Sequence, residues 1–90
     1  MNTIFKAILV VILFFPGLLL AEVININTAD KETLMTVMKG VGEKRAEAIV
    51  DYRKKNGPFK SVDDLAKISG IGQSIIEDNR DNLTVKNKQQ

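Results

Sequence analysis

The sequence predicts a small all-α domain in which a helical hairpin occurs twice with pseudo-two-fold symmetry, behind an N-terminal signal peptide. Three observations carry this. Two glycine turns, Gly40-Val41-Gly42 and Gly70-Ile71-Gly72, lie 30 residues apart. The match extends outward, Met38 aligning with Ile68, Ala46 with Ile76, Glu47 with Glu77 and Asp51 with Asp81. Each turn separates stretches with helical apolar spacing. The first 21 residues differ from all the rest in being almost continuously apolar.

In that leading segment Lys6 supplies a cation, Ala7 to Phe15 is an unbroken apolar run, Pro16-Gly17 interrupts it and Leu18 to Ala21 closes it. This order is that of a secretory signal peptide, with cleavage expected after Ala21. The alternative is an uncleaved membrane anchor. A helix from Ala7 to Ala21 reaches only about 22 Å at about 1.5 Å per residue, short of a roughly 30 Å hydrocarbon core. The mature chain is then Glu22 to Gln90, outside the cytoplasm, with the folded domain over residues 22–85 and a polar tail over 86–90 expected to fray.

The elements of the mature chain read in order. Val23-Ile24-Asn25-Ile26 alternates like an extended segment. Asn27 or Thr28 is expected to cap the first helix, where Leu34, Val37 and Met38 share a face. The first glycine turn follows. A second helix runs from Glu43, with Ala46, Ile49 and Val50 on its inner side, and Asn56-Gly57-Pro58 ends it. Phe59 is the expected aromatic plug of the core. Ser61-Val62-Asp63-Asp64 is an Asp version of the capping box and opens a short helix with Val62, Leu65 and Ile68 inward. The second glycine turn leads into a last helix expected from Gln73 to Leu83, and Val85 is placed to cover an edge.

Composition excludes several chemistries. With no His and no Cys in 90 residues there is no disulfide framework, no thiolate or imidazole metal site and no histidine-based hydrolase mechanism. Carboxylate or lysine chemistry is what remains. Asp63 and Asp64 are adjacent and point about 100° apart on a helix, and Glu43 and Glu47 sit beside Lys44 and Arg45, so neither pair is built as a general acid and base. No enzyme and no cofactor are expected. A monovalent cation held on the backbone carbonyls of a hairpin is compatible with the sequence, since it requires no side-chain ligand.

The turns point to an anion. The second glycine of each stands at the start of a helix, where the first N–H groups have no intrahelical partner. Glycine leaves no Cβ to keep a ligand off the backbone, and the intervening Val41 or Ile71 can brace the turn from inside. The result is a set of N–H donors at the positive end of a helix. Two such turns suit phosphates on both sides of a duplex groove. Contacts of this kind position a protein on nucleic acid without reading sequence.

Val23-Ile24-Asn25-Ile26-Asn27-Thr28-Ala29, Gly40-Val41-Gly42-Glu43-Lys44-Arg45-Ala46, Ile49-Val50-Asp51-Tyr52-Arg53, Asn56 to Leu65 (NGPFKSVDDL) and Gly70-Ile71-Gly72 together resemble the tandem helix-hairpin-helix domain of ComEA-type competence proteins. The resemblance runs from about Val23 to Val85. It implies sequence-independent binding of double-stranded DNA, in periplasmic DNA uptake during natural transformation. Amides at Gly40, Gly42, Gly70 and Gly72 are then expected to face phosphate, around the bracing Val41 and Ile71. Lys39, Lys44 and Arg45 flank the first turn as cations, and Gln73 and Ser74 flank the second as neutral donors. An inner-membrane DNA channel is the implied partner, and the signal peptide would engage the secretion machinery. With no linker between Ala21 and the domain, the expectation is a free periplasmic protein that is not membrane-embedded.

Two departures from the family stand out. Asn79 and Asn82 occupy positions on the last helix where family members carry apolar residues, which bears on how the second hairpin packs. Charge is also uneven. Residues 39–60 hold seven cations against three anions, a net of +4, whereas residues 61–83 hold two against five, a net of −3. The first hairpin is therefore expected to carry most of the affinity, with a log–log salt slope of roughly −3 and affinity of micromolar order or weaker at physiological salt. Removing Lys44 and Arg45 together is expected to abolish binding. Arg53-Lys54-Lys55 fits a solvated helix end complementing the dipole. The rival reading is a helical protein-docking module of the cell envelope that uses the acidic second half.

Overall fold

A computed structural model describes residues 22–87. The signal-peptide reading of residues 1–21 and the last three residues of the polar tail lie outside the described residues.

Chain order is β1 (Ile24–Asn25), α1 (Lys31–Val37), α2 (Glu43–Asn56), a 3-10 helix (Val62–Lys67), α3 (Gln73–Asn79), a 3-10 turn (Arg80–Asn82) and β2 (Leu83–Thr84). The architecture is all-α, as expected, with two helical hairpins in tandem. Among the described residues no helix is long and apolar enough to cross a membrane.

The cap of α1 is Asp30, not Asn27 or Thr28: its carboxylate accepts the Thr33 N–H at 2.8 Å. Asn27 instead ties three strands of chain together. Its side-chain oxygen accepts the Phe59 N–H at 2.6 Å, and its amide donates to the carbonyls of Phe59 at 3.0 Å and Val85 at 3.3 Å. A short polar side chain here satisfies backbone groups that no helix or sheet reaches. Helix α2 ends as the sequence indicates. Gly57 takes φ +88° and donates its N–H to the Arg53 carbonyl, and Pro58 prevents continuation.

Asp64 supplies the carboxylate side of the capping box, accepting the N–H groups of Lys60 at 2.9 Å and Ser61 at 3.3 Å. The helix it opens is wound as a 3-10 helix. The last helix is shorter than expected, for α3 stops at Asn79. A 3-10 turn then lets Leu83 become extended, so that Leu83–Thr84 pairs in parallel with Ile24–Asn25. The Ile26 N–H adds a bond to the Thr84 carbonyl at 2.9 Å. The start of the tail is also held, since the Asn25 amide donates to Asn87 at 3.1 Å.

The core lies between the two hairpins. Ile26, Leu34, Ile49, Leu65 and Ile76 are fully buried, one from the first extended segment and one from each helix. Each burial contributes about 1.5–3 kcal/mol, so no element can leave without exposing a core side chain. Phe59 is buried as expected, and its ring stacks on Tyr52 with centroids 5.4 Å apart.

Candidate nucleic-acid interface

The two glycine turns have nearly the same backbone. Met38 and Ile68, which end the preceding helices, lie at φ −86°, ψ 124° and φ −89°, ψ 125°. Gly40 and Gly70 take φ +78° and +95°. Gly42 and Gly72, the N-caps of α2 and α3, lie at φ −89° and −96° with extended ψ. The sequence repeat is thus a repeat of conformation. Positive φ is confined to the first glycine of each turn, where a side chain would be strained.

The second glycines have a different physical reason. Gly42 and Gly72 have an ordinary φ, and a Cβ at either would meet no protein atom within 4 Å. Nothing inside the domain demands glycine there. Both are exposed, and both cap their helix without a side chain. Val41 and Ile71, between the glycines, are buried at 5% and 4% exposure and brace the turns from within. The N–H groups opening α2 are consequently uncovered on a helix 14 residues long.

Lys39 and Lys44 are exposed beside the first turn and make no ion pair among the described residues. Arg45 is exposed too, but its guanidinium has partners. Its Nε donates to the Gly70 carbonyl at 2.7 Å and its Nη1 to the Gly40 carbonyl at 3.4 Å. These two carbonyls thus accept from a side chain of the domain itself. Arg53 also points inward, its Nη1 donating to the Ile26 carbonyl at 2.9 Å, whereas Lys54 and Lys55 are solvated.

The second turn is electrostatically different. The Gln73 amide donates along its helix to Glu77 at 2.8 Å instead of standing free, and Ser74 is exposed. Arg80 binds Glu77 and Asp63, each at 2.6 Å. The Arg80 guanidinium, helped by Gln73, holds the Glu77 carboxyl down to about 2. The one arginine of this half is therefore committed to carboxylates. The carboxylates of Asp30 and Asp64 are likewise held below the usual range by the groups they cap, and the Lys31 ammonium is held up by Glu43 at 3.0 Å.

Asn79 was not readable as a site-organising residue, although its polarity on an expected apolar face was the visible signal. It is fully buried. Its oxygen accepts the Lys39 N–H at 2.7 Å, and its amide donates to the carbonyls of Lys39 at 2.9 Å and Ile75 at 2.8 Å. The helix of the second hairpin thus holds the backbone of the first turn. Asn82, the other such position, is half-buried.

Residues 20–84 match the family profile described as the helix-hairpin-helix motif. The chain is 46% identical over 63 residues to ComE operon protein 1 of Bacillus subtilis, covering 70% of this chain and 30% of that one. It is 41% identical over 63 residues to an uncharacterized protein of Haemophilus influenzae, covering 70% of this chain and 56% of that one. Over 54 residues it is 48% identical to endonuclease/exonuclease/phosphatase family domain-containing protein 1 of Rattus norvegicus, covering 60% of this chain and 9% of that one. The aligned part of this chain thus spans little more than half of the second relative and less of the others.

Proposed function

Since the chain belongs to the helix-hairpin-helix family, in its ComEA-like branch, we propose that it binds double-stranded DNA without sequence preference, as a periplasmic component of DNA uptake during natural transformation. The observation that carries this reading is the pair of turns with one conformation, each opening on a helix start that has no side-chain cap. The amides around Gly40, Gly42, Gly70 and Gly72 receive phosphate oxygens. Lys39 and Lys44 neutralise phosphates at the first turn, and Ser74 assists as a neutral donor at the second. Affinity is weighted to the first hairpin because the second carries a committed arginine and a surplus of carboxylates. Such contacts fix register on a duplex without reading bases.

The role is binding and not catalysis. Asp30 and Asp64 cap helices, Glu43 pairs with Lys31, and Glu77 and Asp63 pair with Arg80. The carboxyls of Asp30, Asp64 and Glu77, held low by their partners, are poor general acids at neutral pH. Export by a cleaved signal peptide and delivery of DNA to an inner-membrane channel complete the proposal.

The test is equilibrium binding to fluorescein-labelled duplexes of unrelated sequence, read by anisotropy across a salt series. Equal affinity for all duplexes is expected, with a slope of roughly −2, about 0.9 for each of the two phosphates that Lys39 and Lys44 neutralise. Lys44→Ala should make the slope shallower by about 0.9, the share of one neutralised phosphate. A folded protein that binds no duplex at low salt would sink the proposal and favour a docking role for the acidic half.

A further inference from the structure

We propose that Arg45 is a positioning residue, a cationic clasp that sets the spacing of the two hairpin turns, and that its effect on DNA binding comes through this geometry and not through contact with phosphate. The inference rests on the DNA-binding reading above for its consequence, though not for the clasp itself.

Arg45 stands on the first turn of α2, which follows the first hairpin, yet its shortest bond is to Gly70 in the second. The same guanidinium reaches the Gly40 carbonyl. Two carbonyl dipoles from different hairpins therefore converge on one positive group.

The pseudo-symmetry supplies an independent check. The 30-residue repeat relates Arg45 to Ile75, each the third residue of the helix that follows its turn. Ile75 also crosses to the opposite hairpin, where a Cβ on Gly40 would stand 3.8 Å from its Cγ1. The same helical position thus reaches across in both directions, by an apolar contact one way and a charged one the other.

The functional consequence follows from effective concentration. Two turns at a fixed separation engage a duplex as one bivalent unit, and loosening the separation removes that gain without removing a contact. Charge alone is then not enough. Lysine at position 45 retains the charge but lacks the planar fork that lets Nε and Nη1 take two carbonyls at once.

The experiment compares the wild-type full chain, in nonionic detergent, with Arg45→Lys and Arg45→Ala, folding being verified by circular dichroism. Anisotropy salt titrations are combined with amide spectra of the 15N-labelled protein. Both variants should bind about tenfold more weakly, the weakening expected from losing a charge-assisted hydrogen bond at the clasp. Their salt slopes should match the wild type, in contrast to Lys44→Ala. The Ile71 amide, bonded directly to the Gly70 carbonyl carbon, should shift in Arg45→Lys. The proposal is overturned if Arg45→Lys binds like wild type while Arg45→Ala loses about 0.9 of slope, since Arg45 is then a phosphate ligand. It is equally overturned if the Ile71 amide does not move in Arg45→Lys. Should the wild type bind no duplex, the proposed function fails, and the Ile71 amide still decides the clasp.

Discussion

Asn79→Ala is expected to be among the most damaging single substitutions outside the aliphatic core. The side chain is fully buried and makes three hydrogen bonds, two of them to the backbone of Lys39. Truncation leaves the Lys39 N–H and carbonyl without those partners, at about 1–3 kcal/mol for each unsatisfied buried group, partly relieved by water entering at the turn. A net loss of about 2–4 kcal/mol is expected. For a folded unit of 66 described residues the whole stability is only about 3–10 kcal/mol. Each kcal/mol moves the midpoint by about 4–8 °C at this size, so Tm should fall by about 8–32 °C. The assay is thermal and urea unfolding by circular dichroism, with hydrogen exchange at the Lys39 amide as the local readout. Asn79→Leu is the decisive companion. It fills the volume but cannot bond Lys39, so it too should destabilise, by about 2 kcal/mol. If the leucine variant matched or exceeded wild-type stability, with Lys39 still protected, the reasoning would be refuted and position 79 would be an ordinary apolar site.

Further outcomes follow from the same geometry. Gly42→Ala should cost less than about 1 kcal/mol of stability, as φ is ordinary and the space is open, yet weaken duplex binding by placing a methyl group where a phosphate approaches; equal binding in anisotropy would contradict this. Gly40→Ala should instead lower stability by about 1–2 kcal/mol, because φ is +78°, and an unchanged Tm would count against the turn assignment. Stability should decline in acid. The Glu77 carboxyl sits at about 2 when folded, below its ordinary 4.5, so its contribution is complete above about pH 4.5 and is lost as pH falls toward 2. Glu77→Gln should flatten that part of the Tm–pH curve, and an identical curve would refute the Arg80 pairing as its cause. Asn27→Ala should release the first extended segment from Phe59 and Val85 and lower stability by about 1–3 kcal/mol, seen as faster exchange of the Phe59 amide.

Sequence by itself determined what depends on neighbours along the chain. Apolar spacing identified the helices and the inward faces of Leu34, Ile49, Leu65 and Ile76, all fully buried. The Gly57-Pro58 stop and the Asp64 cap are local chemistry and were legible as such. The repeat of Gly40-Val41-Gly42 in Gly70-Ile71-Gly72 announced one backbone conformation used twice, because a positive φ favours glycine wherever it occurs. Tertiary structure decided what depends on residues far apart in the chain. The last helix ends at Asn79 because Leu83 must extend to pair with Ile24, and no local signal marks that partner. Asn27 reads as a cap by residue type, but once the fold brings Phe59 near, its N–H takes the side-chain oxygen a cap would use, and the Asn27 amide donates to the carbonyls of Phe59 and Val85. Arg45 and Lys44 are neighbours of equal charge in the sequence. Their difference arises in space, where the guanidinium meets carbonyls of both hairpins and the ammonium meets none. A helical period tells which way a side chain leaves its own helix, whereas what it finds there is settled by the packing of the other hairpin.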